Sequence, residues 1–264
     1  MIKLENYEVM GWEHAIRGMR NPMNSWEKSD SKVCDELCTS GCAYYNDDPN
    51  KGCICKADIF AGDMAIGPND HELMMKLAKG GSVHAKYRRM ITVYVDITAP
   101  LYWWKEFDTY KVGTVANSCS TMHKIHEKEF TLEDFSHEHL LWSDWFEDEP
   151  EDSIACVPAH WLNITVGTLN YYRKKYLETK NKPLKEESKR AELMNQYWWQ
   201  MIQLLPSSYN QKRTVMLNYE VLTNIYHSRK NHKLDEWREM CEWIEKLPYS
   251  EIITGVGKEK RYDC

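Results

Sequence analysis

The sequence predicts an α+β protein. Three observations carry that expectation. The clearest strand signal, MITVYVDI at 90–97, lies in the first half of the chain. Four helix-length apolar patterns crowd the second half. Hydrophobic residues make up 42% and aromatics 12% of the 264 residues, enough to build a large core and to exclude disorder of the whole chain.

From the start, residues 2–9 (IKLENYEV) place Ile2, Leu4, Tyr7 and Val9 in a strand with one slip of the period. Residues 12–31 mix Gly, Pro and Asn and read as a loop with a short helix. A cysteine-rich insert follows over 34–55. Asp70 is then expected to cap the helix HELMMKLAKGG, which stops at Gly80–Gly81. In the strand 90–97, Ile91, Val93, Val95 and Ile97 form one face, and Thr92, Tyr94 and Asp96 the other. Pro100 opens a helix carrying Leu101, Trp103, Trp104 and Phe107. Residues 127–155 are acidic and read as a solvated excursion. Helices are expected over 158–178, 188–204, 215–229 and 234–246, with 180–187 as a linker. The organisation is a single domain over 1–264 with insertions at about 34–56 and 127–155.

The net charge of −6 argues against a basic nucleic-acid surface, and no nucleic-acid partner is expected. No apolar run reaches the ~18 residues of a membrane span, so none is expected. Lys3, Glu5 and Glu8 interrupt any leader-like pattern, and nine cysteines without a secretion signal point to reduced thiols in the cytoplasm.

Cys34, Cys38 and Cys42 recur every four residues, with Cys53 and Cys55 beyond. Such thiols can bind a metal or remain free, but the spacing departs from paired zinc knuckles, and no metal is assigned. His123 and His126, then His137 and His139, lack the carboxylate of a metalloprotease helix. Glycine-rich phosphate loops and a serine elbow are absent from the sequence. The segment 98–123 is the most informative. An aromatic helix runs into the polar stretch GTVANSCST, with Lys105, Lys111 and Lys124 nearby. Small residues and consecutive amides can hold an anion or nucleotide; an ordinary capped loop is the alternative.

The order of these residues resembles the signature region of the flavin-dependent thymidylate synthases. In that family a helix with a leading His, a strand and an Ala-Pro-led helix precede R-H-R-x7-S. Here His71-Glu72-Leu73-Met74, the strand and Ala99-Pro100 supply the frame. The motif itself falls on Thr109-Tyr110-Lys111 and, seven residues later, Cys119. The family's Leu-Pro followed by N-x-R-x-L-x-N-x4-R is matched by Leu205-Pro206, Asn218, Glu220, Leu222, Asn224 and Arg229. His232 and Glu236-Trp237 are similar to its H-A-Q-W-E helix start. The resemblance covers roughly 70–122 and 200–245, about a third of the chain.

The resemblance implies a twisted, mainly antiparallel sheet packed with helices, and a homotetramer. It implies FAD held by Thr109, Tyr110, Lys111, Asn218 and Asn224. It places a uridine-type nucleotide against Lys105, Asn117, Ser118, Cys119, Ser120, Thr121 and Arg229, with Cys119 and Arg229 as catalytic candidates. NADPH and methylenetetrahydrofolate would be co-substrates of a methylation or hydroxymethylation. The departures are chemical. Lys111 keeps a charge but loses the planar fork of arginine. Asn117, Cys119 and Thr121 stand where the family has E-x-S-x-R, so a carboxylate and a guanidinium are missing. Glu220 reverses the charge of an arginine. Cys119 suggests a nucleophile toward C6 of a pyrimidine; an inert thiol is the alternative. Three functions follow: a flavin-dependent nucleotide-modifying enzyme, a non-catalytic nucleotide or flavin binder of the same fold, or an assembly protein.

Overall fold

A computed structural model describes residues 2–33, 64–142, 157–181 and 187–255. The fold is α+β. Strands β1 (Lys3–Met10), β4 (Thr92–Pro100), β5 (Val115–Ser118) and β6 (Asn210–Asn218) form a mainly antiparallel sheet in the order β1-β4-β6-β5. Two short strands, β2 (Lys32–Val33) and β3 (Met64–Ala65), pair antiparallel. The helices among the described residues are α1 (Trp12–Arg20), α2 (Pro68–Lys79), α3 (Leu101–Phe107), α4 (Thr121–Lys124), α5 (Pro158–Asn181), α6 (Glu187–Leu204), α7 (Tyr219–Arg229), α8 (Asp235–Lys246) and α9 (Glu251–Thr254). No helix among them is long and apolar enough to cross a membrane.

The chain groups into two compact units. One takes Met1–Glu5, Asp96–Tyr110 and Ala116–Thr214; the other takes Asn6–Val95, Lys111–Val115 and Val215–Cys264. In the first, α5 and α6 cover a core of Ile125, Phe130, Phe135, Leu162, Leu169 and Met201. Phe130 and Phe135 belong to the stretch expected to be a solvated excursion. The part of it that is described, 127–142, instead anchors two rings in the core, and Asn170 fixes it by exchanging hydrogen bonds with the backbone of Phe130. The remainder of that stretch, 143–155, lies outside the described residues, as does the whole cysteine-rich insert.

In the second unit, Trp12 meets the rings of Tyr219 and Tyr249 edge-on, at 5.2 and 5.4 Å. Gly11 turns the chain into α1 with φ +93°. A Cβ there would sit 2.1 Å from the carbonyl oxygen of Met90, so no other residue fits. Helix α8 buries Trp237, Met240, Cys241 and Ile244, the i, i+3, i+4, i+7 stripe of a half-buried helix.

Three expectations need correction. Asp70 does not cap α2. Pro68 takes the first helical position after Gly67, and the first-turn amides of Asn69 and Asp70 donate to the carboxylate of Asp30. Asp70 is fully buried and receives Arg20 Nε at 2.6 Å, with Ser29 and Ser31 as further donors. The helix expected from 215 starts at Tyr219, because 210–218 is strand β6. The polar stretch before His123 is not a plain loop: it forms β5, all four residues exposed, followed by the single turn of α4.

Candidate functional site

Helix α7 has two faces. Val221, Leu222, Ile225 and Tyr226 are buried. Glu220, Thr223, Asn224 and His227, again at i, i+3, i+4 and i+7, line a cavity of about 270 Å³ in the second unit. The opposite wall is the last turns of α2, with Met75, Ala78 and Lys79, and the turn at Gly81–Ser82 that follows. Arg88 and Gly255 complete it. The lining offers two cations, one carboxylate, an amide, two hydroxyls and an imidazole within one small space.

Arg88 is 6% exposed and its Nη2 donates to the carbonyl of Ile252, which fixes the guanidinium. Its Nη1 stands 3.9 Å from Glu220 Oε2, a neighbouring charge but not a hydrogen bond. Glu220 Oε2 and Arg88 Nε are both buried without a hydrogen-bond partner among the described residues. Beside them, Tyr87 donates to the carbonyl of Met74 at 2.8 Å, tying the 86–90 turn to α2. Burial pushes the Tyr87 phenol well above its usual pKa, so it stays a neutral donor.

Asn218 is the N-cap of α7. Its Oδ1 accepts from the amide of Val221 at 3.0 Å. Gly113, at φ +77°, passes close to it: a Cβ there would lie 2.9 Å from Asn218 Nδ2. Lys111 is exposed two residues before that glycine. Arg229, at the end of α7, lays its guanidinium over the ring of Trp237 at 4.8 Å.

The first unit holds the other sequence-selected residues. Lys105 is exposed on α3, and Thr109 and Tyr110 form the turn after it, with Thr109 donating to the carbonyl of Glu106. Asn117 and Ser118 lie on exposed β5. The amide of Cys119 donates to the carbonyl of Lys212 on β6 at 2.9 Å, and its carbonyl accepts from Gln211. Gln211 also donates to Thr121, and Ser120 caps α4 by accepting from the amide of His123. The Cys119 thiol is exposed. Its neighbouring strand is polar. Lys212 meets Asp96 at 3.1 Å, and that hydrogen bond holds the ammonium above its ordinary pKa. Arg213 meets Asp108 at 2.7 Å and lies 4.1 Å over the Trp104 ring. Lys124, expected beside Cys119 as a counter-charge, is engaged by Glu127.

Thymidylate synthase X from Helicobacter pylori, solved with FAD and dUMP, matches with a TM-score of 0.52 at 15% identity, over 95% of this chain and 94% of that one. A second structure of it with FAD and dUMP gives 0.52 at 14%, over 95% of each chain. A UMP/dUMP methylase from Streptomyces cacaoi, bound with 5-Br dUMP, gives 0.51 at 12%, over 97% of this chain and 95% of that one. The chain has the flavin-dependent thymidylate synthase fold. No family model matches the chain, and no curated protein matches it in sequence.

Within this thymidylate synthase fold the three positions retained in the second block fall differently. Asn224 lines the cavity, Asn218 is engaged as a helix cap, and Arg229 is stacked on Trp237. Lys79, Ser82, Arg88, Thr223 and His227 were not selected from the sequence. The spacing of 220, 223, 224 and 227 was the one available signal for the α7 residues. The others come from separate segments that meet only in the folded chain.

Proposed function

We propose that this chain binds a nucleotide and a flavin, and methylates or hydroxymethylates a uridine-type nucleotide. The observation that carries the reading is the polar face of α7, with Asn224 at its middle, lining a cavity in a thymidylate synthase X-like fold. The residues fit part of such a ligand. Asn224, Thr223, Ser82 and His227 offer donors and acceptors suited to a sugar or a ring edge. About 270 Å³ lies just under the ~300–1,000 Å³ usual for ligand pockets, so the cavity suits one portion of a dinucleotide rather than the whole.

When bound, a flavin supplies hydride transfer, and the protein supplies orientation and exclusion of water. Asn224 is assigned to orienting the ring or sugar, and Lys79 and Arg88 to its electrostatic surroundings. Asn218, Thr109, Tyr110 and Lys111 keep the flavin-facing assignment the resemblance gives them. Lys105, Asn117, Ser118, Ser120, Thr121 and Arg229 keep the nucleotide-facing one. Cys119 is the candidate nucleophile toward C6 of the uracil ring. A folate carbon donor and NADPH as co-substrates, a homotetramer, and a cytoplasmic setting complete the reading.

A second reading, a nucleotide or flavin binder without catalysis, is favoured by one feature. Thr109, Tyr110 and Lys111 stand where two arginines and a histidine are expected, and Glu220 replaces another arginine. The experiment supplies the purified chain with FAD, NADPH, methylenetetrahydrofolate and UMP or dUMP, and follows the nucleotide by mass spectrometry. A one-carbon mass gain supports the enzyme. Flavin or nucleotide uptake, measured by equilibrium dialysis, without a mass gain supports the binder. Neither uptake nor mass gain removes both.

A further inference from the structure

Arg88 and Glu220 form an ion pair at the long end of its range, without a hydrogen bond between them. At 3.9 Å, Nη1 and Oε2 are too far apart for a hydrogen bond and close enough for one small group to touch both. Glu220 Oε2 and Arg88 Nε have no hydrogen-bond partner among the described residues and are buried, which is costly unless something completes them. Arg88 does not swing freely, because Ile252 holds its Nη2. Both residues line the same cavity as Thr223, Asn224 and His227.

A group that completes this pair must accept from a guanidinium and donate to a carboxylate. A hydroxyl does both at once. A phosphate only accepts, and it would meet the Glu220 carboxylate as a like charge. We propose that the Arg88–Glu220 gap reads a ligand hydroxyl, so that this corner of the cavity takes the polyol portion of its ligand rather than a phosphate. This rests on the nucleotide-and-flavin reading and sharpens it, since either ligand carries such a portion: the sugar of a nucleoside, or the ribityl chain of a flavin. Glu220 is then a specificity residue, and the charge reversal is the feature that defines the cavity's preference.

The test is equilibrium binding to the full chain, read by fluorescence or calorimetry and independent of turnover. Four probes are used: riboflavin, lumiflavin (the same ring without the ribityl chain), uridine and 2′-deoxyuridine. Riboflavin binding about 10-fold or more tighter than lumiflavin assigns the gap to the ribityl chain. Uridine binding tighter than 2′-deoxyuridine by a similar factor assigns it to the ribose. Either preference should be lost in Glu220→Ala and reduced in Glu220→Gln, which keeps an acceptor without the charge. In both variants the phosphorylated forms, FMN and UMP, should gain relative to riboflavin and uridine. The comparison of probes on the unaltered protein stands even if a variant fails to fold. Equal binding of hydroxylated and stripped probes overturns the inference while leaving the nucleotide-and-flavin reading intact. Absence of binding by every probe, with FAD, FMN and UMP included, overturns both.

Discussion

Asn218 and Gly113 are locked against each other: a Cβ added to Gly113 would fall 2.9 Å from Asn218 Nδ2, while Oδ1 of the same amide caps α7. The glycine is required twice, for its φ of +77° and for that close approach.

Gly113→Ala should therefore destabilise the chain by about 1 kcal/mol or more, since the backbone there is strained for any residue with a Cβ. Asn218→Ala should cost about 1 kcal/mol through the lost cap, and Asn218→Gly only a few tenths. Denaturant unfolding without ligand checks all three. If Asn218→Ala leaves the unliganded stability unchanged, the amide's role at the helix start is wrong.

The Arg20–Asp70 pair is buried on both sides, with side chains 4% and 0% exposed. Asp70→Ala should cost about 3–5 kcal/mol, because it strands the guanidinium of Arg20 in the interior. A loss under about 1 kcal/mol in urea unfolding would contradict this.

The same pair sets a pH dependence. Burial raises the Asp70 pKa, but hydrogen bonds from Ser31, Ser29 and Arg20 outweigh it and hold the carboxyl below its ordinary 3.8. The folded pKa lies under the unfolded one, so the stabilisation is full above 3.8 and is lost as the pH falls through the folded value. Unfolding followed below pH 4 should show a steeper acid loss in the native sequence than in Asp70→Asn. Parallel curves would remove Asp70 from the acid transition.

Two described cysteines should react very differently. The Cys119 thiol is exposed, whereas Cys241 is buried and burial, with Glu245 and Glu242 behind it, pushes its thiol up to about 11. Iodoacetamide on the folded chain, read by peptide mass mapping, should label Cys119 and spare Cys241 until the chain is unfolded. Labelling of both at equal rates would contradict the packing around α8.

The sheet and the helices were legible to different degrees. The alternation of 90–97 reported β4 faithfully, because Val93, Val95 and Ile97 are buried on one face. The stripe of α8 was equally plain, since its core residues follow the helical period. Strand β6 was not, because NQKRTVMLN opens with five polar residues whose partners come from elsewhere. Lys212 and Thr214 meet Asp96, and Arg213 meets Asp108 and Trp104. Without those partners the segment has no strand period, and its apolar end merges with the helix that follows. The cavity was half legible. Asn224 stood out through its place in a motif, and Glu220 through its reversed charge. Lys79 and Arg88 belong to segments well over a hundred residues away in sequence, and no spacing links them to α7.

The central claim is that the polar face of α7 forms part of a nucleotide- and flavin-binding site. Equilibrium dialysis of the native chain and Asn224→Ala against FAD and against dUMP tests it most directly. The native chain should bind at least one of the two ligands saturably, and Asn224→Ala should weaken that binding about 10-fold with the unfolding midpoint unchanged. Binding that is identical in the two proteins, or no binding to the native chain at all, would contradict it.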